Sequence, residues 1–131
     1  MNSPFPKGDT NPVSMYFTGK SYLAALSEEQ VQIFNVTFTP GCRNFWHIHH
    51  ADQGGGQVLL CTYGRGWYQQ WGCDPRELHP GDVVNIPAGV KHWHGAAKDS
   101  EFAHIAIEVP GEGYRTQWCE PVTDAEYDRL P

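Results

Sequence analysis

Five of the seven histidines fall in two tight clusters, His47/His49/His50 and His92/His94. Along an extended strand, residues two apart project to the same side. His47 and His49 therefore point together across Ile48, and His92 and His94 do the same across Trp93. Two such strands paired in one sheet bring imidazoles to within a few ångströms of each other, the convergence that metal–nitrogen bonds of about 2.0–2.1 Å require. The chemistry these residues point to is the binding of a divalent metal. An open position on it would stabilise charge on a substrate oxygen, and a neighbouring imidazole would take or give a proton. His94 is the first acid–base candidate. His104, on the same side of its strand as Ala106 and Glu108, is the second. His79, beside Pro80, reads as a turn residue.

The elements that must carry these residues are short strands. Phe34, Val36 and Phe38 alternate with Asn35 and Thr37 and stop at Pro40-Gly41, a half-buried strand. Residues 57–63 are apolar on both faces and end at Gly64-Arg65-Gly66, as in a strand inside a sandwich. The chain restarts over 66–70 and is broken by Gly72-Cys73-Asp74-Pro75. Pro80-Gly81-Asp82 leads into 83–86, and Pro87-Ala88-Gly89 turns toward 92–97. Residues 102–109 alternate, with Ala103, Ile105, Ile107 and Val109 on one side and Phe102, His104, Ala106 and Glu108 on the other. One helix is expected. Thr123-Asp124-Ala125-Glu126 has capping-box spacing and can run to about residue 130 before Pro131. Ser27-Glu28-Glu29-Gln30 has similar spacing but flows into strand pattern and reads as a turn.

Composition narrows the class. At 131 residues the chain is one ordinary domain, and 40% hydrophobic content is enough for a core. Fourteen glycines and ten prolines punctuate it too often for long helices. A formal net charge of −6 argues against a nucleic-acid partner, and no apolar run approaches a membrane span. No secretory pattern opens the sequence, which points to the cytoplasm. Cys42, Cys61, Cys73 and Cys119 form no C-x-x-C pair and are expected as free thiols, Cys42 and Cys61 as small buried hydrophobes. Trp46, Trp67, Trp71 and Trp93, with Phe45 and Tyr68, are expected in the sandwich core, and Lys91 and Arg65 in solvent.

Two spacings within 41–92 carry a resemblance. The first is Gly41, five residues, His47-Ile48-His49, a loop, then Gln57, six residues, Gly64. The second is Gly81, five residues, Pro87-Ala88-Gly89, two residues, His92. They resemble the two motifs of the cupin superfamily, a small double-stranded β-helix barrel. The family pattern has a glutamate in its first motif where this chain offers glutamine. Gln57 has the correct distance to Gly64, with Gly54-Gly55-Gly56 absorbing a longer loop. Gln53, His50 and Asp52 are the alternatives in that loop. Three neutral imidazoles and a neutral amide would leave a divalent ion its full charge, making it a stronger Lewis acid than a set with a carboxylate.

A closer resemblance runs from about residue 36 to 127. It is carried by 36–46, by Gly81-Asp82-Val83-Val84, by 89–97, by His104-Ile105-Ala106-Ile107-Glu108 and by 118–127. These segments are similar to the small bacterial cupins of the carboxymuconolactone-decarboxylase-like group, members of which act as manganese-dependent hydroxynitrile lyases. The resemblance implies that His47, His49, Gln57 and His92 hold the metal and that His94 and His104 lie in the pocket. It favours manganese, while the donor types suit iron, zinc, nickel or cobalt as well. The glycine-rich loop before Gln57 departs from the group and bears on the pocket mouth.

The expected fold is thus all-β, a jelly-roll-like double-stranded β-helix over 31–131 with a short C-terminal helix at about 123–130. An arm or edge strand is expected over 1–30. The expected function is that of a metal-dependent cupin enzyme acting on a small oxygenated molecule, in its sharpest form a carbon–carbon lyase of hydroxynitrile type. The alternatives are a metal-dependent dioxygenase or isomerase, and a non-catalytic binding or sensing module. The expected partners are a small-molecule substrate and a second copy of the chain in a homodimer, with no nucleic acid or membrane.

Overall fold

The computed structural model describes residues 3–131; Met1 and Asn2, the start of the expected arm, lie outside the described residues. Along the chain run β1 (Asp9–Thr10), β2 (Phe17–Thr18), β3 (Ser21–Ser27), β4 (Ile33–Phe38) and β5 (Arg43–Asn44). Next come β6 (His47–His50), β7 (Gln53–Gly54), β8 (Gln57–Gly64), β9 (Gly66–Gln70) and β10 (Arg76–Leu78). The last strands are β11 (Val83–Ile86), β12 (Lys91–Ala96), β13 (Phe102–Glu108), β14 (Gly111–Glu112) and β15 (Arg115–Trp118), followed by helix α1 (Asp124–Tyr127). The described residues are all-β, with one short α-helix near the C-terminus and a single 3-10 turn at Ser14–Tyr16.

Two antiparallel sheets face each other. One has the order β1-β3-β4-β13-β8-β11; the other runs β10-β9-β12-β5-β2, with β6 paired to both β12 and β15. The alternation seen in the sequence sorts side chains between the two faces. Phe38, Leu59, Cys61, Phe102 and Ala106 from the first sheet meet Tyr68 and Ala96 from the second in one core. On β12 the residues sharing parity with Ala96 are His92 and His94, so the histidines point into this core. Trp93, of opposite parity, packs outside with Trp46, Trp67, Val122 and Tyr127 in a second cluster. Helix α1 belongs to that outer layer. Its Thr123–Glu126 capping box is formed, and the Tyr127 hydroxyl donates to the Ala96 carbonyl at 2.5 Å. The α-helix stops at Tyr127, short of the expected residue 130. Beyond it the chain tightens into i→i+3 bonds, and Leu130 docks on the outer cluster.

Within the N-terminal segment β1 is an edge strand of the first sheet. Strand β3 lies between β1 and β4 inside the first sheet, with Ser21 fully buried and Leu23 packed on the core. Ahead of β1, Pro6 crosses the outer face of the same sheet and its carbonyl accepts from Asn35 Nδ2 at 2.9 Å. That cover accounts for the burial of Asn35 and Thr37, which a one-sided sheet would expose. Trp71 departs from its expected place. It follows the end of β9, stands 53% exposed, and holds the Lys91 ammonium 3.6 Å over its ring. No helix among the described residues is long and apolar enough to cross a membrane.

Two motif glycines differ in what confines them. Gly64 (φ +73°) ends β8, and a Cβ there would overlap the Glu101 carbonyl oxygen, whereas Gly81 (φ +95°) faces open space. A left-handed φ alone costs a non-glycine residue about 1–2 kcal/mol. Urea unfolding should therefore show G81A destabilised by about that amount and G64A by clearly more. Equal losses would show that the contact with Glu101 is not limiting.

Candidate metal centre

The β6–β12 pairing sets His47 directly opposite His92. Their rings lie 4.2 Å apart, with His49 at 4.9 Å from His47 and 5.4 Å from His92. Each of the three offers one nitrogen, and these nitrogens all lie within 4.8 Å of one another. Backbone carbonyls fix two tautomers. His47 Nδ1 is 2.8 Å from the Phe45 carbonyl oxygen, and His92 Nδ1 is 2.9 Å from that of Val90. A carbonyl only accepts, so both Nδ1 atoms carry hydrogen and both Nε2 atoms keep their lone pairs.

Three buried acceptors among the candidate residues lack partners. His49 Nε2, His92 Nε2 and Gln57 Oε1 are buried with no hydrogen bond among the described residues. Buried polar atoms are rarely left so in folded proteins. Gln57 is itself buried on β8, and its Nε2 donates to Glu108 Oε1 at 3.0 Å. Neutral imidazole nitrogens and an amide oxygen are donors that a first-row divalent ion accepts, and the residues present therefore fit such an ion. Of the alternatives named from sequence, His50 lines a cavity together with His49, and Gln53 and Asp52 lie on the surface. Gln53 is exposed on β7, His50 Nε2 lies 2.8 Å from Gln117 Oε1, and Asp52 pairs with Arg115 at 3.3 Å on the surface.

Burial keeps the imidazoles neutral. Desolvation lowers His49 and His92 to about 4, with His50 acting further on His49 and His49 on His92. It lowers His47 well below its ordinary value, with His92 and His49 adding to the effect. His94 is likewise held well below by desolvation first and by His104 next, and His104 falls to about 3 through desolvation. Burial raises the Glu108 carboxyl, opposed by the hydrogen bond from Gln57.

The two acid–base candidates form a chain with a residue that sequence reasoning missed. Asn44, on β5, accepts from the His94 backbone N–H at 2.9 Å through Oδ1. Only its NH2 can then face the His94 ring, and Nδ2 sits 3.2 Å from Nε2 and 3.4 Å from Nδ1. His104 Nε2 lies 3.1 Å from His94 Nδ1. The arrangement satisfying both contacts has Asn44 donating to His94 Nε2 and His94 Nδ1–H donating to His104. His104 Nδ1 is then a buried donor, and no partner meets it. The His94 ring is 5.6 Å from that of His47 and 5.8 Å from that of His92.

A cavity of about 520 Å³ opens beside this cluster. His49 and Glu108 line it together with Gln30, Gln32, Arg115 and Thr116, whereas His94 and His104 are not among its lining residues. Glu108 is the second residue that sequence reasoning did not single out, although its parity with His104 was the available signal. The glycine-rich loop reaches the mouth as well: β7 pairs with β14, and Gly56, Pro110 and Gly111 line the opening. Away from the cavity, Lys91 pairs with Glu120 and Arg65 with Glu77 and Asp99, while His79 lies 3.3 Å from Glu77. All four cysteines are free.

No family model matches the chain. It is 46% identical over 95 residues to an (R)-mandelonitrile lyase of Granulicella tundricola, covering 72% of this chain and 70% of that protein. Among solved structures it is similar to a cupin-like protein of Thermotoga maritima, with 38% identity, a TM-score of 0.85, and coverage of 98% of this chain and 96% of the other. A double-stranded β-helix protein of Klebsiella pneumoniae superposes at a TM-score of 0.64 with 18% identity, covering 83% and 96% of the two chains. That second likeness concerns the fold alone.

The depressed imidazoles make a pH-dependent stability. The unfolded chain takes up protons near pH 6.5, while folded His49 and His92 do so only near pH 4. The unfolded state therefore binds more protons between those values, and stability falls as the pH drops through that window. Thermal melts of metal-free protein should show the midpoint declining from pH 7 to pH 5. A flat profile would mean that the histidines are not buried in neutral form.

Proposed function

The chain belongs to the cupin superfamily, and from that premise we propose that it is a metal-dependent lyase. His47, His49 and His92 through imidazole nitrogen, and Gln57 through Oε1, would hold one divalent transition metal ion, for which the resemblance favours manganese. The observation that carries this reading is the group of buried, partnerless acceptors His49 Nε2, His92 Nε2 and Gln57 Oε1, with His49 lining the cavity. The bound ion would supply Lewis-acid stabilisation of negative charge on a substrate oxygen. The substrate class is a small oxygenated molecule, and the reaction is carbon–carbon cleavage of the hydroxynitrile type. The substrate hydroxyl loses its proton, its C–O bond becomes a carbonyl, and the C–C electron pair leaves with cyanide, which takes up a proton.

The chain's own part in this is proton handling and water exclusion. Burial keeps His94 neutral, and its one lone pair, at Nε2, accepts from Asn44 Nδ2 at 3.2 Å, so the amide must yield that nitrogen before it takes a proton. His104 is fully enclosed and acts through the 3.1 Å contact with His94 Nδ1, which fixes the ring. Phe38 stands against both rings, 5.9 Å from His94 and 5.4 Å from His104, and keeps water from them. The polar lining of the cavity supports an oxygenated substrate.

A second reading, binding or sensing without turnover, draws on one observation: neither His94 nor His104 lines the cavity. Release of benzaldehyde from mandelonitrile, with elemental analysis of wild type and variants, separates the two. H92A should lose metal. H94A should keep it and lose turnover by about 10²–10⁴-fold, the usual contribution of a general acid or base. Equal metal loss in both variants would overturn the division of roles. Manganese-loaded wild type that retains a ligand but cleaves no cyanohydrin would favour the binding module.

A further inference from the structure

Gln57 and Glu108 face each other as registered partners on β8 and β13. The two ends of a glutamine amide are almost alike in shape, but only the oxygen carries a lone pair for a metal, and only the nitrogen donates. Packing alone therefore does not choose which end faces a donor set. An ionised carboxylate does, because it accepts and never donates. Gln57 Nε2 is turned to Glu108 Oε1 at 3.0 Å, and Gln57 Oε1 is left buried without a partner. Among the described residues no cationic side chain forms an ion pair with Glu108. Among the described residues its side chain hydrogen-bonds to Gln57 alone.

We propose that Glu108 is a positioning residue for the metal centre. It locks the Gln57 amide with its oxygen toward the histidines, and it keeps one hydrogen bond outside the donor set the negative charge that a ligand glutamate would place within it. The inference rests on Gln57 being a metal donor. The group as a whole then carries the same charge as a set with a glutamate ligand, while every atom touching the ion stays neutral. Carboxylates that orient a metal ligand in this way are worth about 10–100-fold in metal affinity when removed.

Cobalt(II) and manganese(II) titrations of the full chain test this, with the cobalt visible spectrum as a readout of the donor set. The variants are H92A, Q57A, E108Q, Q57E and the exchanged pair Q57E/E108Q. E108Q leaves the amide free to turn and should lower affinity about 10–100-fold, shifting the cobalt spectrum toward that of Q57A. Q57E sets two carboxylates against each other. In Q57E/E108Q the introduced amide donates to the introduced carboxylate, so the exchanged pair should bind more tightly than Q57E alone. A loss of local structure at Glu108 would not be restored by that exchange. E108Q with wild-type affinity and spectrum, or an exchanged pair no better than Q57E, overturns the proposal. Should E108Q fail to fold, the comparison of Q57E with the exchanged pair decides. Wild-type binding in H92A or Q57A would overturn the donor assignment and the inference with it. Weakened binding in both, with E108Q unchanged, would overturn the inference alone.

Discussion

The β6–β12 register is the constraint on which the site depends. His47 stands opposite His92, and strand parity then puts His49 and His94 on the same face as their partners. A slip of β12 by one residue would turn His92 and His94 to the outer face and bring Trp93 inward. The hydrophobic pattern opposes that slip. Trp93 is 1% exposed in the outer cluster, beside Trp46 and Trp67. The apolar outer layer thus fixes the register that gathers the polar inner residues.

Both sheet faces must therefore be covered, and the two ends of the chain do it. The C-terminal segment lays Val122, Tyr127 and Leu130 over the tryptophans, and Arg43 reaches out from β5 to the Val122 carbonyl at 3.0 Å and to Asp124. The N-terminal segment covers the opposite sheet at Asn35. Such cover matters because the interior is unusually polar. A buried donor or acceptor without a partner costs about 1–3 kcal/mol, and domains have only about 5–15 kcal/mol in total. Several orphaned atoms in one pocket are tolerable only in a scaffold secured on both sides, or where a ligand satisfies them.

Strand parity made the histidine pairs legible in the sequence, because residues two apart need no knowledge of the partner strand. The distance from Gln57 to Gly64 separated Gln57 from Gln53 for the same reason: both lie on one strand whose end is marked. What stayed hidden is non-local. Asn44 and His94 are fifty positions apart, and Gln57 and Glu108 fifty-one, so only the register of distant strands brings them together. β3 was obscured because its burial comes from neighbours on either side rather than from strict alternation. Trp71 reads as core by type, but it falls just past the last residue of β9, where the chain turns to solvent.

The electrostatics of the interior follow from the same arrangement. Burial holds five imidazoles neutral, and repulsion from neighbouring imidazoles adds to it at His47, His49, His92 and His94. A cluster of neutral lone pairs has no charge of its own to attract a cation over distance. Glu108, hydrogen-bonded to Gln57, is an acidic group lining the cavity beside that cluster. Arg115 lines the same cavity but its charge is met by Asp52. A carboxylate and an imidazole, Glu108 and His49, thus line one cavity, and a cation entering it would meet both kinds of group. Were an ion held as proposed, the negative charge and the donor atoms would sit on different residues, which would leave the ion's charge available to whatever oxygen binds next.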